Sequence, residues 1–192
     1  MDEEAETKVL IVEDEEDVAD TFRMWLEDSY GVTVAHSGSE ALDKLERVEV
    51  DVVLLDRLMP GLSGDEVLER IEKEGFDCRV AMVTAVEPDF DIVEMGFDEY
   101  ITKPSSPEEL RETVDELLER RKRSRQLQEY ASLRVKQAAL RTEKTEEELE
   151  NSASYYELSS RIEELESSLE ELNEDLSDVE FRTAVRDIEE GC

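Results

Sequence analysis

Apolar residues in the first 110 positions fall into short unbroken runs, separated by stretches where they recur every three or four residues. The runs are Val9-Leu10-Ile11-Val12, Val32-Thr33-Val34, Val52-Val53-Leu54-Leu55, Val80-Ala81-Met82-Val83 and Tyr100-Ile101. A strand with one wet face alternates apolar and polar residues. The first, third and fourth runs do not alternate, so they read as parallel strands buried on both faces. The intervening stretches read as helices. Phe22, Trp25 and Leu26 share one face of the first. The second opens on Ser37-Gly38-Ser39-Glu40 and the third on Ser63-Gly64-Asp65-Glu66, both with the spacing of a capping box. The last opens on Ser106-Pro107-Glu108-Glu109, which adds a proline at the first helical position. Strand–helix alternation repeated in this way predicts an α/β fold, a doubly wound five-stranded parallel sheet with helices on both faces.

Near residue 110 the pattern changes. After Pro107 no proline or glycine interrupts the chain to about Arg141, so the last helix is expected to run on beyond the sheet domain. Further along, Leu158, Ile162, Leu165, Leu169, Leu172, Leu176 and Val179 are spaced four and three apart, a heptad seam, and Phe181, Val185 and Ile188 continue an apolar stripe. A helix with one apolar stripe must bury it. The expected architecture is a domain at 1–122 followed by an all-helical segment at 123–192, either a hairpin or a coiled coil. The hairpin is the better fit. In it the acidic seam, with Glu166 and Glu180 on its flanks, packs against Leu127, Tyr130, Ala131, Val135 and Ala138 of the preceding, basic helix. The turn is expected near Thr142–Thr145 or near Ser152–Ser154.

Charge separates the two helical stretches. Residues 111–144 carry ten basic and six acidic residues, and residues 145–192 three basic and seventeen acidic. The whole chain has a formal net charge of −33, with only 6% aromatic residues. Periodic apolar positions argue against disorder for most of it. The acidity reads instead as solvation in concentrated salt, where screening shortens self-repulsion, with a cation-binding or DNA-mimicking role as the other reading. No apolar run approaches the length of a membrane span and Met1-Asp2-Glu3-Glu4 does not begin a secretory signal, so a cytoplasmic location is expected. Cys78, expected in a buried strand, and the terminal Cys192 do not make a disulfide framework, and one histidine, His36, does not make a zinc site.

The chemistry gathers at strand ends. Glu13-Asp14 follows the first strand and Asp56 ends the third. In a doubly wound sheet, ligands sit beyond the carboxyl ends of strands where strand order reverses, and these two strands would be neighbours there. Three converging carboxylates repel unless a hard cation or protons intervene. Oxygen ligands alone suit Mg²⁺. Thr84 ends the fourth strand with a hydroxyl, and Lys103 follows the fifth with a positive charge. A carboxylate nucleophile, a divalent ion, a hydroxyl and an ammonium together suit phosphoryl transfer.

The stretches Val12-Glu13-Asp14-Glu15, Leu55-Asp56-Arg57-Leu58-Met59-Pro60-Gly61, Val83-Thr84-Ala85 and Tyr100-Ile101-Thr102-Lys103-Pro104 resemble the receiver domains of two-component response regulators, over roughly residues 6–122. The resemblance implies a flavodoxin-like strand order 2-1-3-4-5 and a sensor histidine kinase as partner. It implies Asp56 as phosphoacceptor. Asp14, Asp56 and the Leu58 backbone carbonyl would be Mg²⁺ ligands, with Glu13 acting partly through water. Thr84 and the Ala85 amide would hold phosphoryl oxygens, with Lys103 paired to the group. It also implies a cis Lys103–Pro104 bond and Tyr100 as an aromatic switch beside Thr84. The Thr84–Lys103 span is about a helical turn shorter than in typical receivers. The shortfall is expected in the fourth helix, near Phe90–Met95, on a face the family usually uses for output.

From about residue 123 the chain, including Leu127-Gln128-Glu129-Tyr130, Lys144-Thr145-Glu146-Glu147-Glu148-Leu149 and the heptad seam, resembles the HalX domain attached to receivers in haloarchaea. Neither a helix-turn-helix, a basic-region zipper nor a zinc finger is visible. The run Arg120-Arg121-Lys122-Arg123-Ser124-Arg125 is either a DNA contact or an electrostatic partner for the acidic helix around Glu163–Asp178, within one chain or across a homodimer. Two outputs stay open, a phosphorylation-dependent protein contact and a dimeric DNA-binding regulator. The helical segment lacks a Gly-rich phosphate loop and a nucleophile–base pair, so no enzymatic activity is expected beyond self-phosphorylation and slow self-dephosphorylation.

Overall fold

The structure, a computed structural model, describes residues 7–88 and 90–171. The chain divides into two compact units, Met1–Arg121 and Lys122–Cys192.

In the first unit, five strands form one parallel sheet: β1 Lys8–Val12, β2 Gly31–Ala35, β3 Val52–Leu55, β4 Arg79–Thr84 and β5 Glu99–Thr102, in the spatial order β2-β1-β3-β4-β5. Every residue of β3 is buried, as are Val9–Val12 of β1 and Val80–Thr84 of β4, because helices cover both faces. On one face α2 (Gly38–Leu45) and α3 (Gly64–Glu74) bury Ala41, Leu45, Val67, Leu68 and Ile71 against Leu10, Val53, Leu55 and Met82. On the other, α1 (Glu16–Leu26) and the start of α4 (Pro107–Glu143) bring Phe22, Leu26, Leu110, Val114 and Leu117 onto Val9, Ile11, Leu54 and Ile101.

Local chemistry accounts for most helix starts. At α3 the capping box is complete: the Ser63 hydroxyl accepts from the Glu66 amide while the Glu66 carboxylate accepts from the Ser63 amide. At α2 only half of the expected box forms. Ser37 accepts from the Glu40 amide, but the Glu40 carboxylate is drawn to the His36 amide and the Lys44 ammonium. Gly75, at φ 73°, ends α3 in a left-handed conformation that costs glycine nothing. Between β4 and β5 the described residues form only a five-residue 3-10 helix, Phe90–Glu94. Cys78 lies just before β4 rather than inside a strand; it is half-buried, and burial pushes its thiol up to about 11.

Arg121, the last residue of the first unit, is buried. Its guanidinium donates to the Asp51 carboxylate and, at 2.8 Å, to the Asp77 carbonyl. Asp51 also accepts from the Lys8 amide at 2.8 Å. The arginine thus ties α4 to the amino-terminal edge of the sheet. Arg120 donates to the Asp98 carbonyl and pairs with Glu99 and Glu116. Both arginines had read as partners for the acidic helix or for DNA; instead they are bound within their own unit.

The second unit is an antiparallel helical hairpin. The later part of α4 runs to Glu143, Thr145 caps the short α5 (Glu146–Glu150) with a complete capping box, and α6 (Ala153–Glu171) returns. Both expected turn positions are used, with α5 between them. The register is set by Gln126 donating to Ser168, Tyr130 to Glu166, Gln137 to Ser159 and Arg141 to Tyr155. Tyr130, Ile162, Leu165 and Leu169 form the core, with Leu127, Leu133 and Leu158 packed beside it. The expected stripe on α4 is therefore corrected. Val135 is 59% exposed and Ala138 is exposed, while Gln137 is buried. The interface is laced with side-chain amides and hydroxyls, and apolar periodicity cannot register those. Leu172, Leu176, Val179, Phe181, Val185, Ile188, Glu180 and Cys192 lie outside the described residues.

Candidate functional site

The sheet register builds the site. Val12 pairs with Leu55, so Glu13 and Asp14 leave β1 beside Asp56 leaving β3. The Glu13 amide donates to Ala35 and the Asp56 amide to Val12, so the ladder holds each residue up to the point where the chain turns away. Thr84 pairs with Thr102, and the Lys103 amide donates to the Thr84 carbonyl at 2.8 Å, bringing Lys103 to the same edge.

There the Lys103 ammonium lies 2.6 Å from Asp56 Oδ2 and 2.5 Å from Glu13 Oε2. Glu13, Asp14 and Asp56 each offer a carboxylate oxygen, all within 4.8 Å of one another. Glu13 and Asp56 are buried and Asp14 is half-buried. Burial pushes the Glu13 carboxyl above its ordinary range; Lys103 pulls it down, but less than desolvation and the nearby Asp56 push it up. For Lys103 burial alone would lower the ammonium, yet the hydrogen bonds and charges of Asp56 and Glu13 together hold it above its ordinary value. Two of the three carboxylates, Glu13 and Asp56, share the Lys103 ammonium, an arrangement short of positive charge. An all-oxygen donor set of this kind fits a hard divalent ion.

The other anticipated residues stand nearby in different roles. Thr84 is fully buried, and its hydroxyl accepts from the Val86 amide at 3.4 Å. Ala85, next in the chain, is exposed. The Tyr100 hydroxyl donates to the Val86 carbonyl at 2.8 Å, and its ring packs on Phe97 at 5.5 Å between centroids. Thr84 and Tyr100 thus both bond to Val86. Leu58 is 67% exposed, and its amide donates to Asp56 Oδ1 at 3.1 Å. The Lys103–Pro104 bond is cis.

Three contributors were not anticipated. Gly64, in the first turn of α3, donates to the Arg57 carbonyl at 2.9 Å, and a Cβ there would collide with the Asp56 carbonyl and lie 2.8 Å from Arg57 Cα. Only glycine lets α3 approach so closely. Arg57 is buried and pairs with Asp65 at 3.0 Å, pinning the loop after Asp56 to α3. His36 Nδ1 lies 3.2 Å from the Glu13 carbonyl. The glycine was legible only as part of a helix start, and the arginine and histidine had no partner near them in sequence.

Comparison with known proteins agrees with this geometry. The chain matches the response regulator receiver domain over residues 9–115 and the HalX domain over residues 119–185. A Haloferax volcanii protein, named as a candidate transcriptional regulator, is 54% identical over 136 residues, 70% of this chain and 23% of that protein. The alkaline phosphatase synthesis transcriptional regulatory protein PhoP of Bacillus subtilis is 38% identical over 59% of this chain and 49% of its own length. The chain thus spans about half or less of each of these relatives. Among solved structures, a CheY-like receiver domain from Methanospirillum hungatei superposes with TM-score 0.59 at 29% identity, covering 62% of this chain and 99% of that one. The response regulator TrrA of Thermotoga maritima, solved with Mg²⁺ and BeF, gives 0.52 at 33% identity, covering 58% and 99%. With the fold, the acidic cluster and the family matches in agreement, the chain belongs to the response regulators, a receiver domain followed by a HalX domain.

Proposed function

We propose that this response regulator accepts a phosphoryl group on Asp56 from a sensor histidine kinase and passes the signal through its helical unit. The observation that carries the reading is the Lys103 ammonium bridging Asp56 and Glu13, with Asp14 alongside. The carboxylate oxygen of Asp56 forms the new P–O bond as the P–N bond to the donor histidine breaks. Lys103 holds that oxygen in place beforehand and neutralises the incoming phosphoryl group. Thr84 turns its hydroxyl from the Val86 amide to a phosphoryl oxygen, and the Ala85 amide donates to another. Tyr100 follows as the switch, since its bond to Val86 is made to the loop that Thr84 lets go.

The residues suited to hold Mg²⁺ are Asp14, Asp56 and the Leu58 carbonyl, with Glu13 partly through water. When bound, the ion supplies charge neutralisation between the acceptor carboxylate and the phosphoryl oxygens. Domain limits of 1–122 and 123–192, a cytoplasmic site of action and homodimerisation through the helices complete the reading. Among the described residues, no helix is long and apolar enough to cross a membrane.

The test is labelling with acetyl phosphate. Stoichiometric, Mg²⁺-dependent phosphorylation that disappears in Asp56→Ala supports the site. Full labelling of Asp56→Ala, or labelling indifferent to chelator, would refute it.

A second output reading, DNA binding as a dimer, is favoured by the relatives' names as transcriptional regulators. Binding to duplex DNA that weakens steeply with salt would support it over a protein contact.

A further inference from the structure

Asp56 is held at both of its carboxylate oxygens. Lys103 takes Oδ2 at 2.6 Å, and the Leu58 amide donates to Oδ1 at 3.1 Å. The lysine arrives from the β5 loop with its backbone fixed by the sheet, since its amide donates to Thr84. The Leu58 amide has no such ladder. It lies past the end of β3, and the residue is 67% exposed, so its own packing does little to orient its backbone. Its neighbours supply the anchors. Met59 is buried in the core on one side, and on the other the Arg57 side chain is only 10% exposed.

Arg57 is gripped twice by the start of α3. Its carbonyl accepts from the Gly64 amide at 2.9 Å. Its guanidinium closes a fork on the next residue, Asp65: Nε lies 3.0 and 3.2 Å from the two carboxylate oxygens, and Nη2 lies 3.2 Å from the second. The Ser63–Glu66 capping box fixes the helical turn that carries both grips.

We propose that the Arg57–Asp65 pair is a positioning device for phosphoryl transfer. By locking residue 57 to α3 it sets the Leu58 backbone, and through the Leu58 amide it sets the orientation of the Asp56 carboxylate. The inference rests on the proposed function, in which Asp56 is the acceptor and the Leu58 carbonyl a Mg²⁺ ligand. A pair this deeply placed adds little net stability, because desolvation offsets much of the attraction; what a two-pronged contact fixes is geometry. Groups aimed before the reactants arrive need no rearrangement when they do.

The experiment uses the full-length ¹⁵N-labelled chain as wild type, Arg57→Ala, Asp65→Asn and the double variant, at one fixed molar salt concentration. In chelator, the Leu58 amide should exchange with solvent about tenfold faster in each variant than in wild type. Each single variant should bind Mg²⁺ about tenfold more weakly and take the phosphoryl group from acetyl phosphate more slowly by a similar factor. The double variant should be no worse than the worse single. Arg57→Lys should recover only part of the loss, since one ammonium does not reproduce the fork. The Asp65 side chain is 41% exposed, so Asp65→Asn breaks the pair without opening the core. Variants that melt lower but keep wild-type amide exchange and Mg²⁺ affinity would reduce the pair to packing and overturn the inference. Tighter Mg²⁺ binding in Arg57→Ala with weaker binding in Asp65→Asn would show action through charge rather than position, and overturn it too. Additive losses in the double variant would refute action as a pair. A wild type that takes up neither Mg²⁺ nor phosphoryl group would overturn the proposed function itself, and this inference with it.

Discussion

Lys103 reaches Asp56 at 2.6 Å across 47 residues of sequence, and it meets that carboxylate on the same edge where it meets Glu13. The contact brings a cation from the β5 loop to the acid at the end of β3. It leaves Glu13 in an awkward position, buried, close to a second carboxylate and sharing the Lys103 counter-charge with it.

Glu13→Gln is therefore expected to stabilise the receiver at neutral pH while weakening its hold on Mg²⁺. A carboxyl raised in the folded state binds more protons there than when unfolded. Its contribution to stability is present below 4.5 and is lost as pH rises through the raised value. Wild type should lose stability across that window, and Glu13→Gln should lose less. At pH 7 the variant should melt several degrees higher, the response of a domain this size to about 1 kcal/mol. Thermal melts from pH 4 to 8 in chelator check the sign, and Mg²⁺ titration checks the cost.

The phosphorylated state should be long-lived. By family resemblance, the side chains two after Asp56 and two after Thr84 orient the attacking water, and here they are Leu58 and Val86, neither able to do so. Leu58 is open to solvent, so a polar residue there disturbs no core. Leu58→Asn with Val86→Glu should speed loss of the phosphoryl group roughly tenfold to hundredfold. Decay after removal of acetyl phosphate measures it, and equal rates would exclude a role for these positions.

Arg121→Ala should cost the first unit about 2–3 kcal/mol, because Asp51 and the Asp77 carbonyl lose a buried donor. Arg121→Lys should recover only part of that, since one ammonium cannot span both acceptors as the planar fork does. Urea denaturation of the three proteins at one salt concentration ranks them.

Leu165→Ala should loosen the hairpin by about 2–4 kcal/mol and leave the receiver's phosphorylation unchanged. Pairing of α4 with α6 in wild type should persist at molar salt. The Gln126–Ser168 and Gln137–Ser159 bonds and the apolar core outlast screening of the Arg161–Glu129 pair. Spin labels near residues 128 and 165 report the pairing under both conditions.

The sheet was legible because burial on both faces leaves unbroken runs: Val52–Leu55 is both the apolar run and the strand. The site was legible because its residues stand at the ends of those runs, where register alone brings them together. Long-range polar partners were not legible. Nothing near Arg121 names Asp51, and nothing near Arg57 marks it as buried. On α4, periodicity found an apolar stripe through Val135 and Ala138 but could not tell which face α6 covers, because a glutamine occupies the buried position.

The short crossover between β4 and β5 has a further consequence. A parallel crossover normally lays a full helix over the sheet; here the described residues of the crossover form only the five-residue 3-10 helix Phe90–Glu94, and Met95, Phe97 and Tyr100 are only half-buried. Ile101 on the other face is sealed by Leu110 and Val114. This corner should be the first part of the receiver to open, with amides around Tyr100 exchanging with solvent through local fluctuations rather than global unfolding. The corner around Tyr100 is then governed by how often it is ordered, and under the proposed function phosphorylation of Asp56 would act by changing that occupancy without moving any rigid element.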